Sequence, residues 1–144
     1  MKQVRKILIA VNGKMGVLHD GLKLAEDEQT WVTVVKVLPA YEGDVYLTGI
    51  KDIEDVLTSG ERSAYKRIDG EARAERSLVK TRIEHGDPYE KILEAASEER
   101  CDLIVMGAAE KPSMLRKFFG GDRTVEKVIR NAPCPVLVLG AAAA

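Results

Sequence analysis

The stretch Asp102-Leu-Ile-Val-Met-Gly107, with its continuation to Val136-Leu-Val-Leu139, decides the fold. Each end is a short run of branched apolar residues closed by glycine. Between them lie a basic segment (Lys111, Arg116, Lys117) and then Phe118-Phe119-Gly120-Gly121. A helical pattern follows from Thr124 to Asn131, with Val125, Val128 and Ile129 on its apolar side, and Ala132-Pro133-Cys134-Pro135 stops it. Near-continuous Val, Ile and Leu marks a strand buried on both faces, and two such strands joined through a helix form a parallel βαβ unit. Pro133 and Pro135 have no amide hydrogen to give a helix, so the helix ends before them.

Working outward, the pattern repeats. Ile7-Leu-Ile-Ala-Val11 is closed by Asn12-Gly13, and Trp31 to Leu38 is a second such run. Val79 to His85 instead alternates, with Val79, Thr81 and Ile83 set against Lys80, Arg82 and Glu84, which suits an edge strand with one exposed face. Helical stretches separate the runs. Met15 to Glu28 places Val17, Leu18, Leu22, Leu24 and Ala25 at helical spacing. Asp52 to Ser77 reads as one long amphipathic helix through Ile53, Val56, Leu57, Ala64 and Ile68, weakened at Gly60 and Gly70. Asp87-Pro88 caps and presets a third helix whose stripe of Tyr89, Ile92, Leu93 and Ala96 runs to Arg100. Pro39 to Gly49 reads as a loop, and no internal repeat is visible.

Strands alternating with helices imply right-handed crossovers and one α/β sheet, and ligands of such sheets sit beyond the carboxyl ends of the strands. Those ends are Asn12-Gly13, Leu38-Pro39, His85-Gly86 and Gly107-Ala108. The 144 residues suit a single domain over residues 1–140, with Ala141 to Ala144 as a short tail. With 45% hydrophobic and 31% charged residues, a buried core can form. Lys and Arg number 22 against 23 Asp and Glu, which gives no bulk charge for nucleic acid or a membrane surface. No apolar run reaches the ~20 residues of a membrane span. Cys101 and Cys134 stand far apart in the sequence with no CxxC pair, which excludes a disulfide framework or a zinc ribbon. The expectation is a cytoplasmic protein.

Glycines at a strand exit and before a helix N-terminus offer bare backbone N–H groups to an anion, or simply permit tight turns; spacing alone leaves both readings open at Gly107, Gly120 and Gly121. His85 falls at a strand exit near the expected cleft but has no nucleophile beside it to activate, which makes it a rim or interface residue. His19-Asp20 is solvated helix surface, since adjacent residues are not metal-ligand spacing. Both cysteines and Trp31 read as packing residues. The mixed-sign run Glu61 to Arg76 reads as an exposed helix face.

Four segments together resemble the universal stress protein A family: ILIAVNG (Ile7 to Gly13), HGDPYEKILEAA (His85 to Ala96), CDLIVMG (Cys101 to Gly107) and EKVIRNAPCPVLVL (Glu126 to Leu139). The resemblance implies a flavodoxin- or Rossmann-like sandwich with a five-stranded parallel sheet in the order 3-2-1-4-5. It also implies homodimerisation through the last strand (Val136, Leu137, Val138, Leu139) and a role in stress survival. One branch of the family binds ATP. That branch carries Asp after the first strand, then Gly-x-x-Gly, nine residues, and Gly-Ser or Gly-Thr.

Against that pattern this sequence has Asn12 for the Asp and Glu110 for the second glycine. Gly120 falls at the expected distance, Gly121 takes the Ser/Thr place, and Asp122-Arg123 are inserted before the helix. A carboxylate ~4 Å from phosphate oxygens costs about 1 kcal/mol in water-like surroundings and about 4 in a partly buried site. The missing hydroxyl removes a donor worth about 1 kcal/mol. Lys111, Arg116 and Lys117 work the other way, and Thr124 restores a hydroxyl. The expectation is a dimeric interaction or regulatory module with an altered, weak adenine-nucleotide cleft. The alternative is a nucleotide-sensing switch for ATP or another adenine nucleotide. In it, Ala10, Val11 and Asn12 would lie near base and ribose, Val37 would offer its backbone to adenine, and Gly107, Gly120, Gly121 and Thr124 would surround the phosphates. An ATPase or phosphotransferase has no Walker lysine, paired carboxylates or catalytic histidine arrangement to support it, so no enzyme activity is expected.

Overall fold

The structure, a computed structural model, describes residues 4–12, 15–25, 27–38, 50–108 and 124–140, with side chains over 50–59 left aside. Nine elements alternate along it: β1 (Lys6–Val11), α1 (Gly16–Leu24), β2 (Trp31–Leu38), α2 (Ile50–Glu75), β3 (Val79–His85), α3 (Pro88–Glu98), β4 (Leu103–Gly107), α4 (Thr124–Asn131) and β5 (Val136–Leu139). All strand pairs are parallel, in the order β3-β2-β1-β4-β5. Pro39 to Gly49 and Ala141 to Ala144 lie outside the described residues.

Alternation along the strands divides the core into two layers. Ile7, Ile9, Val32, Val34 and Val105 meet α1 and α2 through Val17, Leu18, Leu22, Ile68 and Ala72. Leu8, Val35, Ile104 and Met106 meet α3 and α4 through Ile92, Ala95, Ala96 and Val128. β1 lies at the centre because both faces of Ile7-Leu8-Ile9 are buried. β3 lies at an edge, as its alternation predicts. Val79 and Thr81 turn inward, while Lys80 and Arg82 reach Glu99 at 2.7 and 3.1 Å, with Arg82 also 2.9 Å from Glu98.

Local chemistry sets the helix ends. Asp87 accepts from the Glu90 amide at 3.0 Å, with Pro88 at the first position of α3. At the other end Arg100 takes a left-handed φ of 54°, and the Cys101 amide reaches back to the Ala96 carbonyl at 2.9 Å. α1 is shorter than its sequence pattern. It ends at Leu24, and Asp27 holds a turn by accepting from the Gln29 amide at its side chain and the Thr30 amide at its carbonyl. The Arg76 guanidinium binds this turn from the end of α2, donating to the carbonyls of Ala25, Asp27 and Thr30.

Several sequence expectations are corrected. Leu24 and Ile129, placed on apolar faces, are about half exposed. α1 stops before Leu24 meets the core, and on the two-turn α4 only Val128 is fully buried. His19 is not bare solvated surface, because it joins α1 to Glu71 and Glu75 of α2 at 2.8 and 2.7 Å.

Candidate functional site

The carboxyl ends of β1, β2 and β4 and the amino ends of α3 and α4 enclose a cavity of about 230 Å³. It lies where the strand order reverses, the position at which open parallel sheets bind ligands. β1 contributes Ala10, Val11 and Asn12; β2 contributes Val35, Lys36 and Val37. Ala10, Val35 and Val37 pack on the α3/α4 side of the sheet, so their side chains form an apolar wall. Val11 packs in the opposite layer and presents its backbone to the cavity. Met106, Gly107 and Ala108 form the far side, and Pro88, Ile92, Thr124 and Val125 close it from the helices.

Six of the residues singled out in the sequence therefore converge: Ala10, Val11, Asn12, Val37, Gly107 and Thr124. Gly120 and Gly121 lie outside the described residues, as do Glu110, Lys111, Arg116, Lys117, Asp122 and Arg123. Sequence reasoning did not name Val35, Lys36, Pro88, Ile92, Met106, Ala108 or Val125 as site residues. Two signals could have found Val35, Pro88 and Ile92: Val35 shares strand parity with Val37, and α3 begins at the strand-end turn.

Two local features shape the cavity. A β-carbon on Gly107 would stand 2.8 Å from Val17 Cγ2, so glycine is needed for α1 to pack against the end of β4. Lys127 Nζ sits 5.6 Å from the centre of the Tyr89 ring, a cation–π contact joining α3 and α4, whose first turns both line the cavity. Thr124 opens α4, where the first backbone N–H groups have no partner within the helix and the dipole is positive. Burial, helped by the Arg67 charge, lowers the Lys36 ammonium from its ordinary value.

Other candidates lie elsewhere. His85 shares the parity of Val79 and Ile83 and faces α2, with Nδ1 3.5 Å from Glu61 Oε1. It does not line the cleft its position in the sequence suggested. Trp31 starts β2, at the opposite end of the sheet. Burial pushes the Cys101 thiol up to about 12, and burial likewise raises Cys134, so neither thiol is activated. Among the described residues, no group of three or more His, Cys, Asp or Glu is placed to hold a metal. No helix among them is long and apolar enough to cross a membrane.

Comparison with known proteins gives a consistent result. The sequence model of the universal stress protein family matches residues 3–140. A universal stress protein of Methanocaldococcus jannaschii is 34% identical over 87 residues, 60% of this chain and 50% of that protein. The chain thus matches about half the length of this curated relative. Among solved structures, the universal stress protein UspA of Lactobacillus plantarum superposes with a TM-score of 0.72 at 24% identity, covering 96% of this chain and 99% of that one. An Arabidopsis thaliana family protein with AMP bound gives 0.56 at 16% identity, covering 94% and 90%. An Archaeoglobus fulgidus universal stress protein in complex with dAMP gives 0.54 at 21%, covering 92% and 95%. These structural likenesses show the fold.

Proposed function

The chain belongs to the universal stress protein family, and on that premise we propose that it is a cytoplasmic stress-response module whose cleft takes an adenine nucleotide and holds the adenosine end more firmly than a triphosphate tail. The observation that carries this reading is the convergence of Ala10, Val11, Asn12, Val37, Gly107 and Thr124 on one apolar cavity at the reversal of strand order. Ala10, Val35, Val37, Ile92 and Met106 supply the apolar surface that a purine ring buries. The Val37 backbone serves the edge of the base, Asn12 the ribose, and Thr124 with the α4 amino end an α-phosphate. Where the family's ATP-binding pattern has its second glycine and a hydroxyl residue, the sequence carries Glu110 and Gly121. Structural neighbours described with AMP and dAMP support a nucleoside monophosphate as ligand.

The role is regulatory binding rather than turnover, exerted by a homodimer through the β5 edge. Calorimetric titration with AMP and with ATP, with and without magnesium, tests the nucleotide reading. AMP is expected to bind at least as tightly as ATP. Glu110→Gly is expected to raise ATP affinity about fivefold, the equivalent of ~1 kcal/mol of relieved repulsion. ATP bound at micromolar Kd in preference to AMP, and indifferent to Glu110→Gly, would mark an ordinary ATP binder instead. No binding of either nucleotide would leave only the interaction module.

A further inference from the structure

The imidazole of His19 lies on α1 between two carboxylates of α2, with Nδ1 2.7 Å from Glu75 Oε1 and Nε2 2.8 Å from Glu71 Oε2. A neutral imidazole has one N–H and one bare nitrogen, so it donates to one carboxylate and points a lone pair at the other. Only the doubly protonated ring donates to both. We propose that His19 is a proton-operated clamp between α1 and α2, closed as the imidazolium and loosened when the ring loses a proton.

The surroundings fit this assignment. Glu71 and Glu75 lie one turn apart on the same face of α2, so one ring spans both. On α1 itself the nearby charges are Asp20 and Lys23, which pair with each other at 3.9 Å. Arg76, Lys23 and Glu28 border the polar cavity that Glu75 also lines, and Arg76 is engaged with backbone carbonyls. β1 and β4, on which α1 also packs, present apolar Ile9 and Val105. The Glu75 hydrogen bond does most to raise the proton affinity of His19 above the ordinary 6.5; burial opposes it, and the Glu75 charge and Glu71 add to it.

The direction of the response follows. A folded-state pKa above the unfolded value makes the clamp's contribution complete below about pH 6.5, and that contribution is lost as pH rises through the folded value. The clamp bears on more than the two helices. α1 also carries Val17, whose Cγ2 would stand 2.8 Å from a β-carbon on Gly107, a residue that lines the cleft. The clamp rests on the α1–α2 geometry and does not depend on what the cleft binds.

NMR titration of the two histidines in the intact chain tests it, with His19 assigned through His19→Gln. The His19 signal is expected to titrate above 6.5 and to move back toward 6.5 in the Glu71→Gln/Glu75→Gln double variant. Titration at or below 6.5, or a midpoint the double variant leaves unmoved, would overturn the proposal. Hydrogen exchange over 15–25, corrected for intrinsic rates, provides a second readout. Protection of α1 is expected to fall between pH 6 and pH 8.5 in the wild type but not in His19→Gln; a wild-type α1 equally protected at both pH values would refute the clamp.

Discussion

At Gly107 the smallest side chain has the clearest reason. The 2.8 Å approach of a would-be β-carbon to Val17 leaves room for hydrogen alone, whatever the cleft binds. Gly107→Ala is expected to destabilise the protein by about 1–3 kcal/mol, the usual cost of overpacking a filled core. In urea denaturation the cost of Gly107→Ala combined with Val17→Ala should fall short of the sum of the single costs, because each substitution addresses the same contact. Additive effects would mean that the strain lies elsewhere. Residue identity was only partly legible in the sequence. Glycine after a strand suggested either a turn or an anion seat, and the close approach of α1 is a tertiary fact that no local spacing encodes. His19 was misjudged for the same reason, since its partners are 52 and 56 positions away along the chain.

At the scale of elements, β3 is tied to α3 by charge rather than by apolar burial. Burial alone would raise the Glu99 carboxyl, but hydrogen bonds from Lys80 and Arg82 outweigh it and hold the group below its usual 4.5. A depressed folded-state pKa contributes stability that is present above the unfolded value and is lost as pH falls through the folded one. The stability advantage of the wild type over Glu99→Gln should therefore be full at pH 7 and shrink below about pH 4.5, read as urea midpoints at pH 7, 5 and 3.5. An advantage that grew on acidification would contradict the pairing. Elements were the most legible level. Alternating charge in Val79 to His85 announced an edge strand, and Asp87-Pro88 announced a helix start. Boundaries were less so. The helical pattern of α1 continues past Leu24 in sequence, yet the Asp27 turn and the Arg76 grip end the helix there.

At the scale of the molecule, periodicity says that strands are parallel and buried but not how they are ordered; the order came with the family resemblance, and the sheet has it. The strand-end part of the cleft was legible because periodicity marks where strands stop, whereas 109–123 lie outside the described residues. β5 is an edge strand with Leu137 38% exposed, and the proposed dimer would cover this apolar surface. Sedimentation of the wild type at micromolar concentration is expected to give a dimer and Leu137→Glu a monomer. A monomeric wild type, or a variant that stays dimeric, would remove β5 from the interface.

The order β3-β2-β1-β4-β5 also has a consequence for synthesis. The chain is synthesised with β1, β2 and β3 ahead of β4 and β5, and in the sheet these three are neighbours of one another. Until β4 arrives, the central strand is a raw border. Met106, Gly107, Thr124 and Val125 come from the second half, so a nascent chain has one wall of its pocket long before it has the other. The cavity is thereby complete only in finished copies, and an interrupted chain would carry β1 with one edge unpaired.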